Sequence, residues 1–259
     1  MDQALSAPLV AGGLLAGMLL LLEAGRRLGA WRLAKNPASA ETGLGAADGA
    51  IYALFGLLLA FTFSGAAERF NSKRQLIAQE ANDIGTAYLR LDLLPEAPRQ
   101  ALRASMRDYL DARITAYDRI PDMAAVYDEL ARSEELQGAI WNAAVGATRL
   151  EGAHPDAGKL LLPALNSMID VSTTRTMADR THPAPIIFYL LFALALGCAL
   201  LAGHAMAARK ERSWLHILSF VVTTVLAIYV ILDLEYPRVG LFRIDAYDYP
   251  LIDLLASMK

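Results

Sequence analysis

Cysteine is nearly absent. Cys198 is the only one among 259 residues, which excludes an internal disulfide, a CxxC redox pair and a cysteine-based zinc set and says nothing of redox compartment. Charge of one dominant sign is lacking too. The chain has 24 Lys and Arg against 27 Asp and Glu, a formal net charge of −3, so bulk electrostatics give no case for a nucleic-acid partner. No HExxH, GxSxG, Walker-type glycine loop or GxGxxG occurs. His154 and His182 each sit beside a proline without a metal partner nearby in sequence. No enzyme activity, metal or cofactor is expected. The first apolar stretch has no Lys or Arg ahead of it, unlike the positive n-region of a signal peptide.

What the chain has in excess is apolar residues, 55% of the total, with a mean hydropathy of +0.33. They fall in four blocks, at about 4–22, 46–67, 186–206 and 214–232, each close to the roughly 20 residues a membrane-spanning helix needs. The expected fold is an all-α membrane protein, with four transmembrane helices as two hairpins and a helical extramembrane domain between spans two and three. The expected division is 1–67 and 183–234 for the hairpins, 68–182 for the domain and 235–259 for a C-terminal tail.

Residues 68–182 carry mixed charge and helical periodicity. Leu102, Met106, Tyr109, Arg113, Tyr117 and Ile120 fall on one helix face, and Met123, Val126, Tyr127, Leu130 and Trp141 on another. The segment 151–158, EGAHPDAG, reads as a loop, and a last helix over about 159–180 stops at HPAP. The two short linkers between spans hold Arg26, Arg27, Arg32 and Lys35, and Arg209, Lys210 and Arg212. The positive-inside rule puts these in the cytoplasm and the middle domain outside. Arg69, Lys73, Arg74, Arg175 and Arg180 flank the opposite side, so the count is nearly balanced.

The second helix is expected to run unbroken from Ala46 to about Leu93, on the order of 70 Å against a hydrocarbon layer of ~30 Å. At about 100° per residue it shows two stripes. One is small: Gly49, Ala53, Gly56, Ala60 and Ser64. The other is bulky: Tyr52, Phe55, Leu59 and Phe63, continued by Phe70, Ile77, Ile84 and Leu91. The outer part steps by seven, as helices packed in water do. Either both stripes are packing seams, or Tyr52, Phe55, Leu59 and Phe63 wall a central pore in an oligomer and gate it as an apolar constriction.

Polar candidates are few. Asp48 lies near the start of the second span, where an ionisable group suggests function or simple interfacial placement. Arg69, Lys73, Glu80 and Asp83 could ring a pore mouth or form a solvated face, and both signs are present. His204 and His216 flank the turn between spans three and four, as interfacial anchors or neutral-pH titrating groups. Ser219, Thr223 and Ala227 read as helix packing, and Gly13 and Gly17 form a weak G-x-x-x-G match.

Four stretches carry a resemblance: GLLLAFTFSGAAERFNSKRQLIAQEANDIGTAYLRLDLLP, YLDARI, LNSMIDVSTTRTMADRTHPAP and LDLEYPRVGLFRID. They resemble the bacterial bestrophin-like membrane proteins, over nearly all of the chain from about residue 45. That resemblance implies four spans, a helical domain after the second, and a distant relation to bestrophins, pentameric anion channels whose second span lines the pore and forms an apolar neck. Carried over, the neck falls on Phe55, Leu59 and Phe63. The bestrophin proline before the neck and tryptophan pair after it are missing, with Arg69–Phe70 standing there instead, and no acidic calcium clasp is recognisable. Bestrophins also keep the middle domain in the cytoplasm, opposite to the positive-inside reading.

The expected protein is a multi-pass protein of the inner cell membrane, a homo-oligomeric ion channel, for anions by resemblance, with the lipid bilayer and small inorganic ions as its partners. The alternative is a non-conducting scaffold or sensor whose middle domain binds a partner.

Overall fold

A computed structural model describes residues 3–35, 45–207, 213–238, 240–241 and 243–258. Arg209, Lys210 and Arg212, on which the orientation reading leans, lie outside the described residues, as does Lys259. Eight α-helices are described: α1 (Gln3–Lys35), α2 (Gly45–Arg90), α3 (Glu96–Asp118), α4 (Met123–Ala147), α5 (Ala157–Arg180), α6 (Pro185–Met206), α7 (Trp214–Glu235) and α8 (Tyr249–Ser257). No strand occurs among the described residues. Four helical stretches, containing α1, α2, α6 and α7, are long and apolar enough to cross a membrane. The chain is an all-helical membrane protein of four spans.

Its packing divides into two units. The first comprises Met1–Arg69 and His182–Tyr236; the second comprises Phe70–Thr181 and Pro237–Lys259. α2 is one helix without an internal proline and contributes to both. Pro185 opens α6 at its first turn, where a missing N–H costs nothing.

In the first unit, α1 packs most closely on α6 and next on α7. Glycine makes the first approach possible. A Cβ on Gly25 would lie 2.0 Å from the Leu200 carbonyl oxygen, and one on Gly203 would lie 1.9 Å from that of Leu22. Gly29 meets the His204 carbonyl in the same way. Backbones this close exclude any side chain. The expected Gly13–Gly17 pair contributes less: Gly13 faces open space, and Gly17 approaches only the flexible end of Leu196. The core between the helices holds Met18, Leu22, Phe55, Leu191, Cys198, Val221 and Ile228.

The second unit buries Leu102, Met106, Tyr109, Arg113 and Tyr117 of α3, the face its periodicity marks. In α4 the buried residues are Val126, Ser133, Ile140, Ala144 and Ala147. Met123 and Tyr127, expected on that face, are exposed. Val126 is buried as expected, but the buried face as a whole is turned by roughly 75° at about 100° per residue, towards a side that carries the small Ser133, Ala144 and Ala147 beside Val126 and Ile140. Ile244, Leu251 and Met258 enter the same core as Ile77, Ile84 and Leu91 of α2.

Candidate functional site

The two stripes of α2 differ sharply in exposure. Phe55 is 6% exposed and belongs to the core of the first unit. Tyr52 and Leu59 are half-buried against the same core. The Tyr52 hydroxyl donates to the Cys198 carbonyl at 3.3 Å, and its ring meets Phe220 edge-on at 6.5 Å. Phe63, the last of the bulky set, is 47% exposed. Gly49, Ala53, Gly56, Ala60 and Ser64 are all exposed. Beside them runs a second exposed face of Leu54, Leu57 and Phe61. Asp48 is half-buried at the helix start.

Where the apolar part of α2 ends, Arg69 meets the end of α7. Its Nε donates to both carboxylate oxygens of Glu235, at 2.9 and 3.1 Å. The Glu235 side chain is almost wholly buried. His182 places Nδ1 3.9 Å from the same carboxylate and stacks on Tyr236, with ring centroids 4.7 Å apart. A cavity of about 190 Å³ opens there, lined by His182, Phe188, Tyr189, Glu235 and Tyr236 among others.

The densest polar cluster lies in the second unit, beyond the apolar run 46–67. Glu80 is completely buried, and Arg113 and Arg175 are each 2% exposed. Arg113 Nε donates to Glu80 Oε1 at 2.6 Å, and Arg175 pairs with Oε2. The other end of the Arg175 fork donates to Asp248 Oδ1 at 3.1 Å, and Arg238 donates to Asp248 Oδ2 at 2.9 Å. The Tyr117 ring lies under Arg175 at 3.9 Å and Arg238 at 4.4 Å, close enough for cation–π attraction. Gln137 donates to the Tyr109 hydroxyl and to Ser172 Oγ at 3.2 and 2.7 Å.

Burial alone pushes the Glu80 carboxyl up, but the two guanidiniums reverse this and hold it below its ordinary value. Burial works against the charge of Arg113 and of Arg175, and Glu80 more than restores it, so both stay protonated. Burial raises Tyr109 and Tyr117, which keeps them neutral hydrogen-bonding groups. With each guanidinium held by at least one carboxylate and each carboxylate bridging two guanidiniums, the cluster is built to hold four segments together rather than to move protons.

Of the polar candidates, Arg69 and Glu80 thus fall into separate clusters, one in each unit. Lys73 is 5% exposed, while Asp83 is half-buried and accepts from Gln79 at 3.0 Å. Sequence reasoning did not single out Glu235, Arg113, Arg175, Asp248 or Arg238 as site residues. One signal for the cluster was present: Arg113 stands on an otherwise apolar face, and a guanidinium there needs a buried carboxylate. Among the described residues no group of three His, Cys, Asp or Glu side chains could hold a metal ion.

The segments that carry the family resemblance supply these clusters: Arg69 and Glu80 from the first, Arg113 from the second, Arg175 and His182 from the third, Glu235 and Arg238 from the fourth. None of the curated proteins matches the chain. A crystal structure of a membrane protein is similar in fold, with a TM-score of 0.63 at 15% identity, covering 94% of this chain and 99% of that one. A family model of the bestrophin-like domain matches residues 45–248, and the chain belongs to the bestrophin-like family.

Proposed function

We propose that the protein is a homo-oligomeric anion channel of the inner cell membrane, its pore lined by the membrane part of α2. Family membership supports ion conduction. The observation that carries the reading is the pair of adjacent exposed faces on α2, one small and one bulky. Small residues on a membrane helix allow another helix to approach closely, whereas Leu and Phe suit lipid tails. In this reading Gly49, Ala53, Gly56, Ala60 and Ser64 face the axis and the neighbouring copies, with Phe63 at the edge of that face as the narrow point. Tyr52, Phe55 and Leu59 stiffen the wall from behind. The pore mouth carries Arg69, whose guanidinium is fixed by Glu235 and favours anions. Asp48, Lys73, Glu80 and Asp83 then act on gating through the position of α2.

Substituted cysteines test this directly, since the one native thiol is buried. A water-soluble charged thiol reagent is expected to abolish chloride flux through Ala60→Cys and to leave Leu54→Cys unchanged. Unmodified flux in a folded Ala60→Cys protein rejects the assignment of the pore wall.

A further inference from the structure

At the end of the first unit where α1 leaves its apolar run, a groove of about 390 Å³ is lined by Leu19, Leu22, Glu23, Arg26, Arg27, Trp214 and Ile217. Its volume is in the range of small-ligand sites, ~300–1,000 Å³. Leu19, Leu22 and Ile217 form an apolar wall. The rim is cationic: Arg26 and Arg27 share one carboxylate, Glu23, with Nε contacts of 3.0 Å each. Two guanidiniums against one carboxylate leave a net positive charge at the mouth. The Arg27 side chain is 78% exposed, so its donors reach outward.

Depth identifies the occupant. Glu23 follows directly on the apolar block 4–22, and Trp214 opens the block 214–232, so both mark the edge of the hydrocarbon. Trp214 is 55% exposed, as an indole at the headgroup level is expected to be. We infer that this groove binds an anionic phospholipid, with its phosphate on Arg26 and Arg27 and the upper part of one acyl chain along Leu19, Leu22 and Ile217. Arginine suits this role because its planar fork matches phosphate oxygens in pairs. A zwitterionic lipid brings its own cation and gains less from the rim.

The test uses the full-length protein, purified in detergent and stripped of lipid, with bound lipid counted by native mass spectrometry. Phosphatidylglycerol is expected to bind about tenfold more tightly than phosphatidylcholine, the scale of one charge-assisted contact. Arg27→Gln is expected to remove that preference while leaving thermal unfolding without lipid unchanged, because its side chain is exposed. Glycerol 3-phosphate at the same concentration is expected not to displace the lipid. Equal affinity for the two lipids overturns the proposal, and so does a preference that survives in Arg26→Gln/Arg27→Gln. Full displacement by glycerol 3-phosphate also overturns it, since the site then reads the phosphate alone.

Discussion

Replacing Glu80 by Gln removes the single carboxylate shared by two buried guanidiniums. Arg175 keeps Asp248 as a charged partner, but Arg113 is left with neutral acceptors, the Tyr117 hydroxyl at 3.4 Å and the amide oxygen of the new glutamine. Removing one member of a buried ion pair costs roughly 3–5 kcal/mol, because the remaining charge stays out of water without compensation. For a chain of this size, at roughly 2–4 °C per kcal/mol, the expected fall in Tm is about 6–20 °C. The assay is thermal unfolding of the full-length protein in detergent, followed by circular dichroism. A second variant separates lost attraction from uncompensated charge. Glu80→Leu/Arg113→Met removes both partners and replaces them with apolar side chains, a change that is often neutral or stabilising. It is therefore expected to unfold at a higher temperature than Glu80→Gln alone. A Glu80→Gln protein within about 1 kcal/mol of wild type, or a double variant no better than the single, refutes the reasoning.

Acid should act through the same group. Glu80 has a folded value below its ordinary 4.5, so its contribution is fully present above that value and is lost as pH falls through the lower folded one. The Tm gap between wild type and Glu80→Gln is expected to be constant near neutrality and to close below about pH 4; a gap unchanged down to pH 3 counts against the pairing. Gly203→Ala should destabilise by roughly 1–3 kcal/mol, the usual cost of overpacking, because its Cβ would strike the Leu22 backbone. Gly13→Ala, with nothing within 4 Å, should leave Tm unchanged; equal effects of the two would contradict the α1–α6 approach. Phe55→Ala is expected to lose roughly 3–5 kcal/mol of stability, read as thermal unfolding, since the ring is 6% exposed within one chain. A stability equal to wild type would show that it packs against nothing in the bundle.

What could be read from the sequence was what repeats along a single helix. The four apolar spans follow from the length of uninterrupted apolar runs, and the long second helix and the buried face from Leu102 to Tyr117 from periodicity over neighbouring turns. The α4 face was misplaced because Ala144 and Ala147 carry the burial while bulkier Met123 and Tyr127 draw the eye. Contacts between distant segments left no such trace. Glu80 meets Arg113 across 33 positions and Arg175 across 95, distances over which spacing carries no signal. Gly25 and Gly29 have the same four-residue spacing as Gly13 and Gly17, but they lie past the apolar block, next to two arginines, where a membrane packing motif is not sought. Which stripe of α2 faces inward is likewise set by α6 and α7, not by α2 itself.

The most direct test of the channel reading is ion flux through the purified full-length protein in liposomes, with chloride compared against potassium and with empty vesicles as the blank. Chloride flux well above the blank, with little potassium flux, is the predicted result. Folded, reconstituted protein that passes neither ion across a range of pH and voltage contradicts it, and would point instead to a membrane scaffold whose second unit binds a partner.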